Sequence, residues 1–179
     1  MKILILPLFL LSCLVFAAED KFLDEAPALA KILRTSLVKE LTGKIEKDGA
    51  LSAIPYCHDN VKTIAKTAAK DYLEKYSFGR TSHKIRNTQN NPEAWMNEYL
   101  EKFKTTKADP QKIQSVVHKL PNGKRVYLEA LYVQPKCLIC HGDSVAKEVN
   151  DKIKSLYPAD QATGFKLDEF RGFVWVKEK

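Results

Sequence analysis

The chain of 179 residues is poor in glycine and proline, with seven and eight respectively. Collagen-like and low-complexity architectures need far more of both. No segment repeats at a fixed period, which excludes a solenoid or a propeller. Four cysteines are too few for a small disulfide scaffold. Beyond Phe16 there is no apolar run that approaches the roughly 20 residues of a membrane span. Disorder is excluded because 45% of the residues are hydrophobic and only 28% are charged. One mid-sized globular domain with a net charge of +7 is what remains.

The first residues stand apart from that domain. Met1 and Lys2 give a short positive start, and Ile3 to Phe16 are almost wholly apolar. Val15 and Ala17 then occupy the small-residue positions of a cleavage site. This is the pattern of a secretory signal peptide, short for a spanning helix. We therefore expect a signal peptide over 1–17, cleaved after Ala17, and a single domain over 18–179 in the periplasm. The alternatives are an uncleaved anchor and a lipoprotein, since Leu10-Leu11-Ser12-Cys13 also resembles a lipoprotein box. Cleavage removes Lys2 and Cys13, so the mature charge is +6 and three cysteines remain: Cys57, Cys137 and Cys140. An odd count in an oxidising compartment asks for an explanation.

From Phe22 to Ile45 apolar residues recur at Phe22, Ala26, Leu29, Leu33, Leu37, Leu41 and Ile45, a helical spacing with one buried stripe. Gly49 is the expected terminator. Leu51 to Cys57 is apolar and interrupted by Pro55. A second helix is expected to follow, capped by Asp59 or Asn60, with Val61, Ile64, Ala65, Ala68 and Tyr72 on one face. Gly79 breaks that pattern, and the polar, basic stretch Arg80 to Asn91 reads as neither helix nor strand. Asn91-Pro92-Glu93 combines an N-cap, a proline at the first turn and an acid near the positive helix end. Trp95, Tyr99 and Phe103 would line the inner face of that helix. Lys112 to Lys119 and Lys124 to Val133 read as strands joined at Pro121-Asn122-Gly123, with a third strand at Gly172 to Lys177. Ser144 to Leu156 carries Val145, Val149 and Ile153 at helical spacing. Helices followed by an antiparallel sheet indicate an α+β domain.

Cys137-Leu138-Ile139-Cys140-His141 is C-x-x-C-H, the attachment sequence for haem c. Its two thiols match the two vinyl groups on one porphyrin edge, and the adjacent His141 becomes the proximal iron ligand. Covalent capture retains the group outside the cytoplasm. The competing readings are a local disulfide between Cys137 and Cys140, or a zinc site shared with Cys57 and His58.

The second axial ligand is less constrained. The mature chain has one methionine, Met96, which follows Trp95 on a helix and reads as packing. Cys57, His58, His83 and His118 are the other candidates. Cys57 is the thiol left over once the motif takes two, and it follows the apolar run Leu51 to Tyr56. Coordination would protect it from oxidation and favour its thiolate. An inert buried cysteine or an intermolecular disulfide is the alternative. Arg80 and Arg86 suit the two propionates, because guanidinium forks match carboxylates. A solvated basic loop is the plainer reading of both. The basic excess does not indicate nucleic acid, since the lysines are scattered among glutamates.

The sequence resembles a single-haem c-type family with a PAS-like fold, first catalogued as a domain of unknown function. The resemblance is carried by Ala53-Ile54-Pro55-Tyr56-Cys57, by Gly79-Arg80-Thr81-Ser82-His83-Lys84-Ile85-Arg86-Asn87 and by Asn91-Pro92-Glu93-Ala94-Trp95. It continues through Cys137-Leu138-Ile139-Cys140-His141-Gly142, Gly164-Phe165 and Arg171-Gly172-Phe173-Val174. It implies an exported protein, alone or as the sensor part of a signalling protein, and an antiparallel sheet with helices packed against it. It also implies one covalent haem held by His141, with the Cys57 thiolate on the opposite face. The chain departs from it at Gly79, where the family often has a second arginine, and at His83, where an apolar residue is usual.

These readings converge on a redox or small-ligand (NO or CO) haem sensor that signals through an unidentified redox or signalling protein. The alternative is a periplasmic electron-transfer cytochrome. A peroxidase is disfavoured because no distal His-Arg pair is visible, so no catalytic residue is assigned.

Overall fold

The computed structural model describes residues 20–109 and 111–179. The expected signal peptide and Cys13 lie outside the described residues. Four β-strands, β1 (Tyr76–Thr81), β2 (Ser115–Lys119), β3 (Arg125–Tyr132) and β4 (Phe170–Glu178), form one antiparallel sheet in the order β1-β4-β3-β2. Four helices, α1 (Lys21–Ala68), α2 (Met96–Lys104), α3 (Leu138–His141) and α4 (Lys147–Leu156), complete an α+β domain. Among the described residues no helix is long and apolar enough to cross a membrane.

Helix α1 starts at Asp20, whose side chain accepts the Phe22 N–H at 3.2 Å. Its stripe Phe22, Ala26, Leu29, Ala30 and Leu33 packs on Tyr76, Tyr127, Val174 and Val176 of the sheet. The expected stripe runs on to Ile45, but burial ends at Leu33 and Leu41 is exposed. Past Leu33 the helix borders a cavity rather than the sheet, and Leu37 and Val38 line it.

Gly49 interrupts the helix with φ 78° and ψ 166°, a conformation open to glycine because it lacks a Cβ. The helix resumes at once, so the separate cap expected at Asp59 or Asn60 is not formed. Asp59 instead meets His58 Nδ1 at 2.7 Å, and Asn60 donates back to the Tyr56 carbonyl at 2.9 Å. Pro55 lies one turn past the restart, where it leaves the Leu51 carbonyl without its helical N–H partner.

Strand β1 was not expected from the sequence. Its residues show no alternation, and it exists because β4 pairs with it, Gly79 opposite Trp175. A Cβ at position 79 would lie 2.5 Å from the Trp175 indole, so only glycine allows this crossing. The other three strands lie where alternation placed them, with the β2–β3 turn closed at Gly123 (φ 86°).

Alternation sends Tyr127, Val174 and Val176 toward α1, and Val126, Leu128 and Phe173 toward α2. Helix α2 begins later than Asn91-Pro92-Glu93 suggested, because Glu93 is engaged by Trp95 Nε1 at 3.0 Å and Lys177 Nζ at 2.8 Å. Its buried face is Met96, Leu100 and Phe103, with Trp95 and Tyr99 half-buried at the flank. The α4 residues Val149 and Ile153 pack on Ile54 of the second arm of α1.

Candidate functional site

The C-x-x-C-H segment forms a single tight turn. A 3-10 turn at Pro135–Cys137 leads into α3, which closes with the Gly142 N–H on the Leu138 carbonyl at 3.0 Å. A Cβ at Gly142 would lie 2.7 Å from that carbonyl oxygen. The segment 162–165 runs alongside: the Phe165 N–H donates to the His141 carbonyl at 2.9 Å and the Gly164 N–H to the Gly142 carbonyl at 2.8 Å. Val133, Ala162 and Phe165 pack against Cys137 and Leu138 from below.

His141 is held by its neighbours before any ligand arrives. Its Nδ1–H donates to the Ala162 carbonyl at 2.6 Å. Burial, followed by the nearby Arg171 and Arg86 cations, pushes its pKa well below the ordinary value. The ring is therefore neutral, and its Nε2 carries a lone pair, the form in which histidine binds metals.

The three described cysteines form no disulfide, so the local Cys137–Cys140 bridge is absent. Cys57 lies on the helical face that also carries Ala50 and Ile54, and this face packs on Cys140, Val149 and Ile153. Burial and the nearby Cys140 raise the Cys57 pKa, while Arg80 pulls it down. Of the alternative ligands, none shares this space. His58 is exposed, bonded to Asp59 and packed on Tyr157 at 5.1 Å between ring centroids. Met96 is in the core on the α2 side of the sheet. His118 stacks on Trp95 at 4.3 Å and meets Tyr99 Oη at 3.0 Å, also on the α2 side. His83 stacks on Phe170 and abuts Phe165, which also touches His141. Among the described residues no three His, Cys, Asp or Glu side chains converge on one point.

The arginines divide into two kinds. Arg80 lines a cavity of about 950 Å³ together with Arg34, Glu129, Tyr132, Cys137 and Arg171. Arg80 is half-buried, and the Cys137 and Cys57 thiols lie close enough to favour its charge. Arg86 has its fork occupied: Nε donates to Asp160 Oδ1 at 3.1 Å and Nη2 to the Cys140 carbonyl at 2.6 Å. It therefore braces the C-x-x-C-H turn where the sequence suggested a propionate partner.

Arg171 was not singled out as a site residue by sequence reasoning, although the segment Arg171-Gly172-Phe173-Val174 was. Burial and the cations of Arg80 and Arg86 push its pKa down to about 9. Nη1 donates to Ser82 Oγ at 2.9 Å and the Lys84 carbonyl at 3.2 Å, but the buried Nε has no partner. The signal was the glycine after it. Gly172 has φ 138°, and a Cβ there would collide with the Thr81 carbonyl. That close passage of β4 under the end of β1 is what sets Arg171 against Ser82.

The crystal structure of the cyanobacterial heme-protein Tll0287 aligns with this fold at a TM-score of 0.65, covering 89% of this chain and 95% of that chain at 22% identity. No curated protein matches the chain. The family model Tll0287-like: Tll0287 matches residues 17–178, and the chain belongs to the Tll0287-like family.

Proposed function

We infer that this chain is an exported c-type haem protein with one covalent haem, working as a redox or small-ligand sensor. The observation that carries the reading is His141: a neutral, half-buried imidazole with Nδ1–H committed to Ala162 and Nε2 free, at the end of a C-x-x-C-H turn. The relative of known structure is itself a heme-protein. The signal-peptide pattern over 1–17 supports a periplasmic location, where haem c is attached.

The chain's own residues fit the group. Cys137 and Cys140 are free thiols with the spacing of the two vinyl positions. Arg80 and Arg171 are two half-buried arginines near one another, neither in an ion pair among the described residues, with the buried Arg171 Nε orphaned. Unpaired buried charge is costly, and a ligand with two carboxylates offsets it. Once bound, haem supplies a one-electron iron couple and an axial coordination position. Cys57, on α1 and near Cys140, would be the second residue to hold the iron.

Cys57 also distinguishes a sensor from a carrier. It sits on the arm beyond Gly49, directly after Tyr56, whose hydroxyl donates to Glu40 across the break at 3.0 Å. An anionic sulfur is held more strongly by ferric than by ferrous iron, so with haem bound the oxidation state would decide how firmly Cys57 is held. Its release would be felt at the Tyr56–Glu40 contact, a local change coupled to a jointed element. A carrier instead gains by keeping both ligands. The PAS-like assignment of the sheet belongs to this same reading.

The test is production in a host with cytochrome c maturation. The wild type should gain one haem mass that survives denaturation, and Cys57→Ala should keep that mass while changing the ferric spectrum. The anaerobically reduced wild type should bind CO rapidly. A ferrous form that excludes CO, with a positive midpoint potential, would assign the chain to electron transfer.

A further inference from the structure

The residues around Ala162 have an arrangement that haem attachment alone does not require. The Ala162 carbonyl oxygen accepts two hydrogen bonds, from His141 Nδ1 at 2.6 Å and from Arg86 Nη2 at 3.3 Å. Arg86 is in turn paired with Asp160, whose Oδ1 accepts both Arg86 Nε at 3.1 Å and the Ala162 N–H at 3.0 Å. Both side chains are shielded, with 15% of Arg86 and 2% of Asp160 exposed. The Gln161 N–H donates to the Ile85 carbonyl at 2.9 Å, which ties the two loops together by backbone as well.

We propose that Arg86 and Asp160 are a positioning pair that sets the donor strength of His141 through the Ala162 carbonyl, an inference that rests on His141 being the proximal ligand. The more strongly an acceptor takes the Nδ1–H, the more basic the opposite ring nitrogen becomes. Arg86 shares that acceptor and draws density from it, so it makes His141 a weaker donor. Its positive charge also disfavours the oxidised metal. Asp160 opposes both effects, because it neutralises the guanidinium and orients it. The two residues therefore act on the iron couple with opposite sign, although both hold the same loop. A purely structural role predicts the same sign for both.

The experiment is a redox titration of the haem-loaded protein with thermal melting alongside. In Arg86→Gln the ferrous-to-ferric ratio at a fixed ambient potential should fall about tenfold, which is about 59 mV for a one-electron couple. Asp160→Asn should raise the ratio by a similar factor. Arg86→Lys keeps the charge but not the fork, and should fall between the wild type and Arg86→Gln. Melting temperature should fall in both neutralised variants, so stability cannot account for opposite redox shifts. Shifts of equal sign, no shift in loaded protein, or loss of haem loading in all three variants would overturn the tuning role. A wild type without covalent haem would defeat the underlying reading, and this inference with it.

Discussion

Along β4, Phe173 faces α2 while its neighbours Val174 and Val176 face α1, yet the two sides of the sheet are chemically unlike. The α2 side is a dry aromatic and aliphatic core of Met96, Leu100, Phe103, Val126, Leu128, Phe170 and Phe173. Its rings interlock edge to face, Phe103 with Phe173 at 5.0 Å and Phe170 with Phe173 at 4.9 Å. The α1 side begins as a core under Phe22 to Leu33 and then changes character. Arg34 pairs with the buried Glu129 at 2.9 Å, and Arg80 and Arg171 line the adjoining cavity. Buried charge opposes folding unless it is paired, and well-packed apolar surface favours it. The difference shows a division of labour within one strand. One face stabilises the sheet, which allows the other to carry cations without an ion-pair partner among the described residues.

The comparison can be tested by a substitution on each face. Phe173→Ala should cost about 3–5 kcal/mol by denaturant unfolding, as expected for a large ring removed from a packed core. The spectrum of loaded protein should be unchanged, and a spectral change would mean that the α2 side takes part in the site. Arg171→Met should act in the opposite direction in the haem-free chain, raising its stability by about 1–3 kcal/mol because a poorly compensated cation is replaced by apolar bulk. In the loaded protein the same substitution should lower the melting temperature. If it destabilises both forms, Arg171 belongs to the scaffold.

The smallest effect is expected at the border of the two faces. His83 stacks on Phe170 and abuts Phe165, and burial, followed by Lys104 and Lys84, pushes its pKa from 6.5 down to about 4. Between those values the unfolded chain binds the proton and the folded chain does not. Stability is then full above pH 6.5 and falls as the pH drops toward 4. His83→Phe, which keeps a ring between the two phenyl groups, should flatten this acid limb of a melting-temperature profile. An unchanged acid limb would show that other groups set it.

The first turns of the α1 stripe, the β2–β3 hairpin and β4 were legible because each is written in adjacent residues, as is the C-x-x-C-H motif. Periodicity records which face of a helix or strand is apolar, and C-x-x-C-H is a local stereochemical requirement. The misplaced features depend on partners far along the chain. Strand β1 has no alternation of its own and is recruited by β4 nearly a hundred residues later, with Gly79 making room for Trp175. The start of α2 shifts because Glu93 binds Lys177 from that same strand.

The arginines show the limit most directly. Arg80 and Arg86 are equivalent in sequence, both in a polar run and six positions apart. Pairing with β4 turns Arg80 into the cavity, whereas Asp160 captures Arg86 under the C-x-x-C-H turn. Arg171 enters the site only because Gly172 lets two strands cross closely. By itself the sequence determined the α+β class and set the C-x-x-C-H residues and Cys57 apart as candidates, since these need only composition, spacing and count. Tertiary structure alone decided which cations lack an ion-pair partner among the described residues and that Cys57 comes near Cys140. Charge compensation and proximity are properties of space, and residues distant in sequence meet only after the chain has folded.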